Sequence, residues 1–125
     1  MVGPAVGGQR QGLPRARRVR KRADYLAVQG GGRRVAGSHY MLFARPSTNT
    51  DAPTRFGVTV SRKVGGAVLR NKVKRWVRET CRRMQHDLPT GLDLVVVARP
   101  SAATAGYEPT ARELANLARR LPGGR

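Results

Sequence analysis

The segment RNKVKRWVRE, residues 70–79, constrains the fold of this chain more than any other. Its apolar residues recur every three or four positions, which predicts one face of a helix over 66–87. The apolar stripe comprises Val73, Trp76, Val77, Thr80, Cys81, Met84 and Leu88. At about 100° per residue, the opposite face comprises Asn71, Arg75, Arg78 and Arg82. Because such a stripe must be covered, we expect this helix to pack on a sheet.

Three other segments have the patterns of strands. Residues 38–44 alternate, with Tyr40 on one side and Phe43 on the other. Residues 56–61 alternate in the same way. Residues 94–98 are a continuous apolar run, which is typical of a strand covered on both faces.

Two further segments are expected to be helical. Residues 20–29 form a short helix candidate that the three glycines at 30–32 would end. Pro109 suits a first helical turn, and a core-facing stripe follows it. That stripe comprises Leu114, Leu117, Ala118 and Leu121. The order is helix, two or three strands, helix, strand and helix, which predicts a two-layer α/β (α+β) sandwich with helices packed on a small sheet.

The chain is long enough for one compact domain. Residues 1–18 are rich in Gly, Pro and Arg but poor in large apolar side chains, so we expect a disordered basic tail. Residues 19–121 are expected to form the single domain, and 122–125 a flexible C-terminus.

The charge of the chain indicates the class of its partner. The sequence has 25 Lys and Arg against 7 Asp and Glu, a net charge of +18. Self-repulsion at this charge is costly, so a polyanionic partner is expected. Arginine outnumbers lysine, and its planar guanidinium can donate two parallel hydrogen bonds to phosphate, which favours nucleic acid. A membrane surface is disfavoured because the sheet needs the apolar stripe that would enter lipid.

Residue types that carry catalysis or bind metals show no suggestive pattern. Cys81 is the only cysteine, so no intramolecular disulfide can form and the reducing cytoplasm is the expected compartment. His39 and His86 show no arrangement with an acid or a nucleophile, and the seven acids are scattered. Cys81 and Trp76 lie on the apolar stripe and are expected to be core residues.

The stretch before the basic helix has a second feature that favours anions. SRKVGGAV, residues 61–68, brings Arg62, Lys63 and two glycines to the helix N-terminus. Free N–H groups and the helix dipole attract phosphate there, although the spacing is not that of a nucleotide-binding P-loop. A merely solvated helix face would alternate charge signs. In the sequence around Arg75, Arg78 and Arg82, Glu79 is the only acid. Anion binding is therefore favoured.

Residues 61–79, SRKVGGAVLRNKVKRWVRE, resemble the signature of the bacterial ribonuclease P protein family. ADYLAV at 23–28, HYMLFARP at 39–46 and LDLVVVARP at 92–100 resemble the first helix, the first strand and the strand after the basic helix in that family. The resemblance covers about residues 18–121. It implies the order α-β-β-β-α-β-α, a mixed sheet of about four strands, and a left-handed crossover around the basic helix.

The resemblance implies a function as well. Members assist a catalytic RNA subunit that removes the 5′ leader from precursor transfer RNA (tRNA) by hydrolysing one phosphodiester bond. The protein would then have no catalytic residue, cofactor or metal of its own, because the RNA subunit and its Mg²⁺ would supply the chemistry. The implied partners are ribonuclease P RNA and precursor tRNA, with a monomeric protein per RNA and no membrane.

The resemblance also implies contact residues. Those for the RNA subunit are Arg62, Lys63, Arg70, Asn71, Lys72, Lys74, Arg75, Arg78 and Arg82. Those for the leader are Tyr25, Phe43 and Tyr40, since unpaired bases stack on aromatic rings. Alternation along the strand allows only one of the last two to face RNA, so Tyr40 is core if Phe43 contacts the leader.

Two positions depart from the family pattern. Lys72 stands where an arginine is usual, which keeps the charge but loses the bidentate fork. Gln29 stands where relatives often have an aromatic residue, so leader stacking there would be weaker.

Two other functions fit the charge. A non-enzymatic RNA-binding protein of the ribosomal type has the same composition, and only the motif at 61–79 and the aromatic positions distinguish it. A DNA-binding module would place the basic helix in the major groove, but no helix-turn-helix pattern is present.

Overall fold

The computed structural model describes most of the predicted domain. The described residues are 18–19, 22–47, 53–88 and 90–121. The predicted tail up to residue 17 and the predicted flexible C-terminus at 122–125 lie outside these ranges. Arg18, which the prediction assigned to the tail, forms a parallel bridge with Phe56. The next residue, Val19, donates its N–H to the Phe56 carbonyl oxygen at 2.8 Å, so both residues contact the sheet at Phe56.

The order of elements confirms the expected α-β-β-β-α-β-α fold. The elements are α1 (Arg22–Gly31), β1 (Arg33–Ala36), β2 (Tyr40–Pro46), β3 (Arg55–Val60), α2 (Ala67–Met84), β4 (Leu92–Ala98) and α3 (Tyr107–Arg119). Helix α1 includes Gly30 and Gly31 and so extends two residues beyond the predicted end at Gln29. Of the three glycines at 30–32, Gly32 alone requires glycine for space, since a Cβ there would meet the Ala44 and Val28 carbonyl oxygens at 2.5 and 2.6 Å.

The four strands form one mixed sheet in the order β1-β2-β4-β3. Strands β1 and β2 pair antiparallel, as do β2 and β4. Strands β3 and β4 pair in parallel and are joined through α2, so α2 is the crossover helix. The left hand of this crossover stays a prediction.

Helices cover both faces of the sheet. Helices α2 and α3 bury one face in the main core, which includes Leu42, Phe56, Val73, Val77, Leu94, Val96, Leu114 and Leu117. Helix α1 contacts β2 and β4. Alternation along β4 turns Val95 to the α1 side of the sheet, and both Val95 and Val28 are buried. Cys81 is buried and Trp76 packs against the core, as predicted.

Polar groups attach α3 to the sheet. The Glu113 carboxylate accepts hydrogen bonds from the backbone N–H groups of His39 and Tyr40, at 2.9 and 2.8 Å. The Tyr40 hydroxyl lies 2.7 Å from Thr110 Oγ1, and the two side chains are fully buried. The start of β2 is therefore fixed against α3 by satisfied polar contacts.

Candidate RNA-binding surfaces

A tight turn sets the position of the first cations of α2. Ser61 Oγ accepts a hydrogen bond from the Lys63 N–H at 3.3 Å and begins a single 3-10 turn. Gly65 has a φ of 152°, and a Cβ there would meet Leu69 Cδ2 at 2.6 Å, so the position requires glycine. Arg70 Nε donates to the Gly65 carbonyl oxygen at 3.1 Å, which holds this guanidinium at the helix start.

The N-terminus of α2 is open to an anion. Gly66 is the N-cap residue and has no side chain that could accept from the first N–H groups of the helix. Arg62 and Lys63 are exposed in the preceding turn. Backbone N–H groups and two cations therefore occur together, as the sequence predicted.

Helix α2 separates apolar and cationic side chains, which confirms the predicted faces. Val73, Val77 and Cys81 are each at most 1% exposed. On the other side, Asn71, Lys72, Arg75 and Arg78 are exposed and Lys74 is half-buried. We call these last five residues the α2 basic face.

The centre of the α2 basic face forms a shallow depression of about 320 Å³. Asn71, Arg75, Arg78 and Glu79 line it. Within the described part of the chain, Arg75 and Arg78 form no ion pair. Their guanidinium groups can therefore donate paired hydrogen bonds to phosphate oxygens without first breaking a protein contact.

Glu79 forms ion pairs with two arginines that follow it in α2. Its carboxylate accepts from Arg82 Nη2 at 2.6 Å and from Arg83 Nε at 2.8 Å. The hydrogen bonds from Arg82, with those from Arg83, lower the pKa of Glu79 to about 2. Arg82 is thus partly neutralised by Glu79, and its contact with the RNA subunit stays a prediction.

This ion pairing predicts a pH effect on stability. The pKa of Glu79 is lowered from 4.5 to about 2 on folding, so its carboxylate stabilises the fold above pH 4.5 and loses that effect as the pH falls toward 2. We expect the melting temperature of the wild type to fall more steeply across this window than that of Glu79→Gln. Thermal unfolding at a series of pH values checks this, and parallel curves for the two proteins would contradict it.

The second candidate surface lies on the opposite side of the sheet, where α1 packs. Phe43 is half-buried there, with Arg34 of β1 and Val95 of β4 as its cross-strand partners. Gly57 of β3 follows Val95 in the same row. We call these four residues the Phe43 row. It places an arginine beside an aromatic ring, a combination that suits a base and its phosphate.

The other two predicted leader contacts have different outcomes. Tyr40 faces the core and is fully buried, and burial raises the pKa of its hydroxyl, which lies against Thr110. Tyr40 is therefore corrected to a core residue that cannot stack on a base. The backbone of Tyr25 lies in α1, but its side chain falls outside the described ones.

Sequence reasoning missed Arg45 and Arg34, which lie on the side of the sheet that carries the Phe43 row. Arg45 follows Phe43 by two residues and so shares its face, which the alternation of β2 could have shown. Arg34 is beside Phe43 only through the register of β1 with β2, and no local signal gives that register.

The described residues contain neither a cluster of metal ligands nor a membrane-spanning helix. Across 18–19, 22–47, 53–88 and 90–121, no three His, Cys, Asp or Glu side chains form a group that could hold a metal ion. No helix in the same ranges has the length and apolarity needed to cross a membrane.

Comparisons with known proteins agree on one family. A family model described as Ribonuclease P matches residues 13–122. The ribonuclease P protein component of Desulfovibrio desulfuricans is 41% identical over 111 residues, which cover 87% of this chain and 85% of that protein. The same component of Kocuria rhizophila is 42% identical over 101 residues, which cover 81% and 88%.

Solved structures show the same fold. The RNase P protein from Thermotoga maritima is 33% identical, with a TM-score of 0.75 over 85% of this chain and 98% of that one. The RNase P protein from Staphylococcus aureus is 30% identical, with a TM-score of 0.74 over 83% and 94%. The chain therefore belongs to the ribonuclease P protein family.

Proposed function

We propose that two surfaces of this ribonuclease P subunit bind different RNAs. The α2 basic face contacts the catalytic RNA. Phe43 and Arg34, the two residues of the Phe43 row that are not buried, contact the unpaired 5′ leader of precursor tRNA. The observation that carries this proposal is their separation: α2 covers one face of the sheet, and the Phe43 row lies on the other. One protein can therefore hold the catalytic RNA and the leader at the same time.

The chemistry of each surface fits its partner. Arg75 and Arg78, which form no ion pair with any described residue, neutralise phosphates and release bound counterions. This lowers the cost of bringing RNA strands together. The RNA subunit supplies Mg²⁺ and the hydrolytic step, and a nearby set of fixed cations reduces the Mg²⁺ concentration that folding and substrate binding need. An aromatic ring beside an arginine accepts an unpaired base of any identity, as a leader of variable sequence requires.

Reconstitution tests the proposal. The full-length protein is added to ribonuclease P RNA at a Mg²⁺ concentration where the RNA alone cleaves precursor tRNA poorly. We expect the protein to restore cleavage at the 5′ leader junction and to cleave nothing by itself. Lack of stimulation, with recovery of the protein from cells on ribosomes, would favour the ribosomal-type function instead.

Phe43→Ala tests the leader surface. Loss of one stacked base costs about 1–3 kcal/mol, so we expect the reconstituted enzyme to bind precursor tRNA about fivefold or more weakly. Binding of mature tRNA, which has no leader, should be unchanged. Dissociation constants for the two RNAs measure the difference.

A matched control is Tyr107→Ala, which removes a half-exposed ring at the start of α3, away from the Phe43 row. This variant should bind both RNAs as the wild type does. An equal loss for precursor and mature tRNA in Phe43→Ala would contradict the assignment of the leader to this surface.

A further inference from the structure

A second cationic surface lies on α3, in a part of the chain that the resemblance did not single out. An open groove of about 770 Å³ runs between α3 and the turn that joins β1 to β2. Its polar lining includes Ser38, His39, Arg112, Asn116, Arg119 and Arg120. We call it the α3 groove.

Among the described residues, one acid lines the α3 groove, and the fold already uses it. The Glu113 carboxylate accepts from the backbone N–H groups of His39 and Tyr40. It is therefore directed at the sheet and does not pair with the arginines around it. Within the described ranges, neither Arg112 nor Arg119 forms an ion pair.

This pattern differs from that of an ordinary solvated helix. Glu108 and Arg112 are four residues apart, the spacing at which opposite charges on a helix normally pair. No such pair forms among the described side chains. Arg112 is instead a lining residue of the groove. Its charge is left for an external anion.

The spacing of the groove cations suits a phosphate backbone. Arg112, Asn116 and Arg119 recur at four and three residues, so they share one face and span about 10 Å along α3. Arg120 Nη1 lies 3.5 Å from the Ala36 carbonyl oxygen, at the β1 wall of the groove. The guanidinium groups of Arg112 and Arg119, with the amide of Asn116 between them, can contact several phosphates of one strand over this length.

The position of the groove indicates which RNA it meets. Helices α2 and α3 pack against each other on the same side of the sheet, whereas the Phe43 row lies on the other side. An RNA that lies along the helical layer meets the α2 basic face and the α3 groove together. A leader held at the Phe43 row is on the far side of the sheet from the groove.

We propose that the α3 groove is a second contact site for the phosphate backbone of the catalytic RNA, formed by Arg112, Arg119 and Arg120. This inference rests on the proposed function of the chain. It adds a contact on α3, the helix that packs beside α2 in the same layer, so that the protein joins two segments of one RNA.

The test compares the wild type with Arg112→Gln/Arg119→Gln, both as full-length proteins binding ribonuclease P RNA over a range of salt concentrations. Two lost phosphate contacts should lower the slope of log affinity against log salt by about 1 to 2. The affinity should fall several-fold at physiological salt. Arg112→Lys/Arg119→Lys keeps both charges and should retain most of the slope.

Single variants control for net charge. Arg112→Gln and Arg119→Gln are each compared with Arg83→Gln, which removes one exposed arginine from another part of the surface. The site is supported if each groove variant weakens RNA binding more than Arg83→Gln does. Equal effects would overturn it.

Two further outcomes separate the explanations. If the double variant binds ribonuclease P RNA as the wild type does but the assembled enzyme loses affinity for precursor tRNA, the groove serves the substrate and our assignment is wrong. If the wild type stimulates cleavage and the double variant matches it in affinity and salt slope, only the groove inference fails. A wild type that does not stimulate cleavage would instead overturn the proposed function.

Discussion

Replacing Arg75 and Arg78 together by alanine is expected to weaken binding of the catalytic RNA about tenfold or more. Each guanidinium is exposed on the α2 basic face and unpaired within the described ranges, so nothing in the protein offsets the loss of its phosphate contact. A net hydrogen bond to a charged group contributes about 1.5–3 kcal/mol, so the loss of even one such contact weakens binding about tenfold or more. The slope of log affinity against log salt should also fall by about 1 to 2, since two fewer phosphates are neutralised.

The control for this prediction is Arg83→Ala on the same helix. Arg83 already donates to Glu79 at 2.8 Å, and its guanidinium lies 5.9 Å from the centre of the Tyr107 ring. The Arg83→Ala protein should therefore bind RNA nearly as the wild type does, although it loses one of the two charges that the double variant loses. A salt titration of each protein with ribonuclease P RNA measures both effects. An unchanged slope in the double variant would show that α2 does not contact phosphates.

Local sequence pattern is sufficient to predict α2 and its two faces. Apolar residues at helical spacing had to be buried, and the cations between them had to turn outward. The strands at 38–44 and 56–61 were predictable for the same reason, because alternation depends only on neighbours along the chain. Strand β1 gave no such signal, since its four residues, RRVA, contain one buried apolar side chain.

Contacts between distant elements could not be read from the sequence. The position of Arg34 beside Phe43 depends on the register of β1 with β2, and the α3 groove depends on how α3 packs beside the β1–β2 turn. The ion pairs of Glu79 involve only residues near it in the sequence, yet the sequence does not predict which arginines it pairs with. Arg75, Arg82 and Arg83 all lie within four residues of Glu79, and only the geometry of the side chains selects the last two.

The placement of the acids explains how so much positive charge stays available. Within the described ranges, three acids are engaged by the fold itself. Glu79 pairs with arginines near the end of α2, Asp93 pairs with Arg55 at 2.9 Å, and Glu113 binds backbone N–H groups. These acids stabilise the fold without neutralising the α2 basic face. The positive charges whose mutual repulsion opposes folding therefore lie on the surface, where bound RNA can neutralise them.

Glu113→Ala is expected to cost about 3 kcal/mol of unfolding free energy, through the loss of two charge-assisted hydrogen bonds. The backbone N–H groups of His39 and Tyr40 would lose their acceptor at the start of β2, where Tyr40 is fully buried. A loss of this size lowers the melting temperature of a domain this small by about 10 °C or more. Thermal and urea unfolding measure it.

The chain offers a close control for that experiment. Glu108→Ala removes an exposed acid from the first turn of the same helix, and within the described residues Glu108 forms no ion pair. Its effect on unfolding should stay within about 0.5 kcal/mol. Glu113→Gln keeps one acceptor oxygen and should lie between the two variants. If Glu113→Ala and Glu108→Ala were equally stable, the carboxylate would not be what holds α3 to the sheet, and the wall of the α3 groove would be set by apolar packing alone.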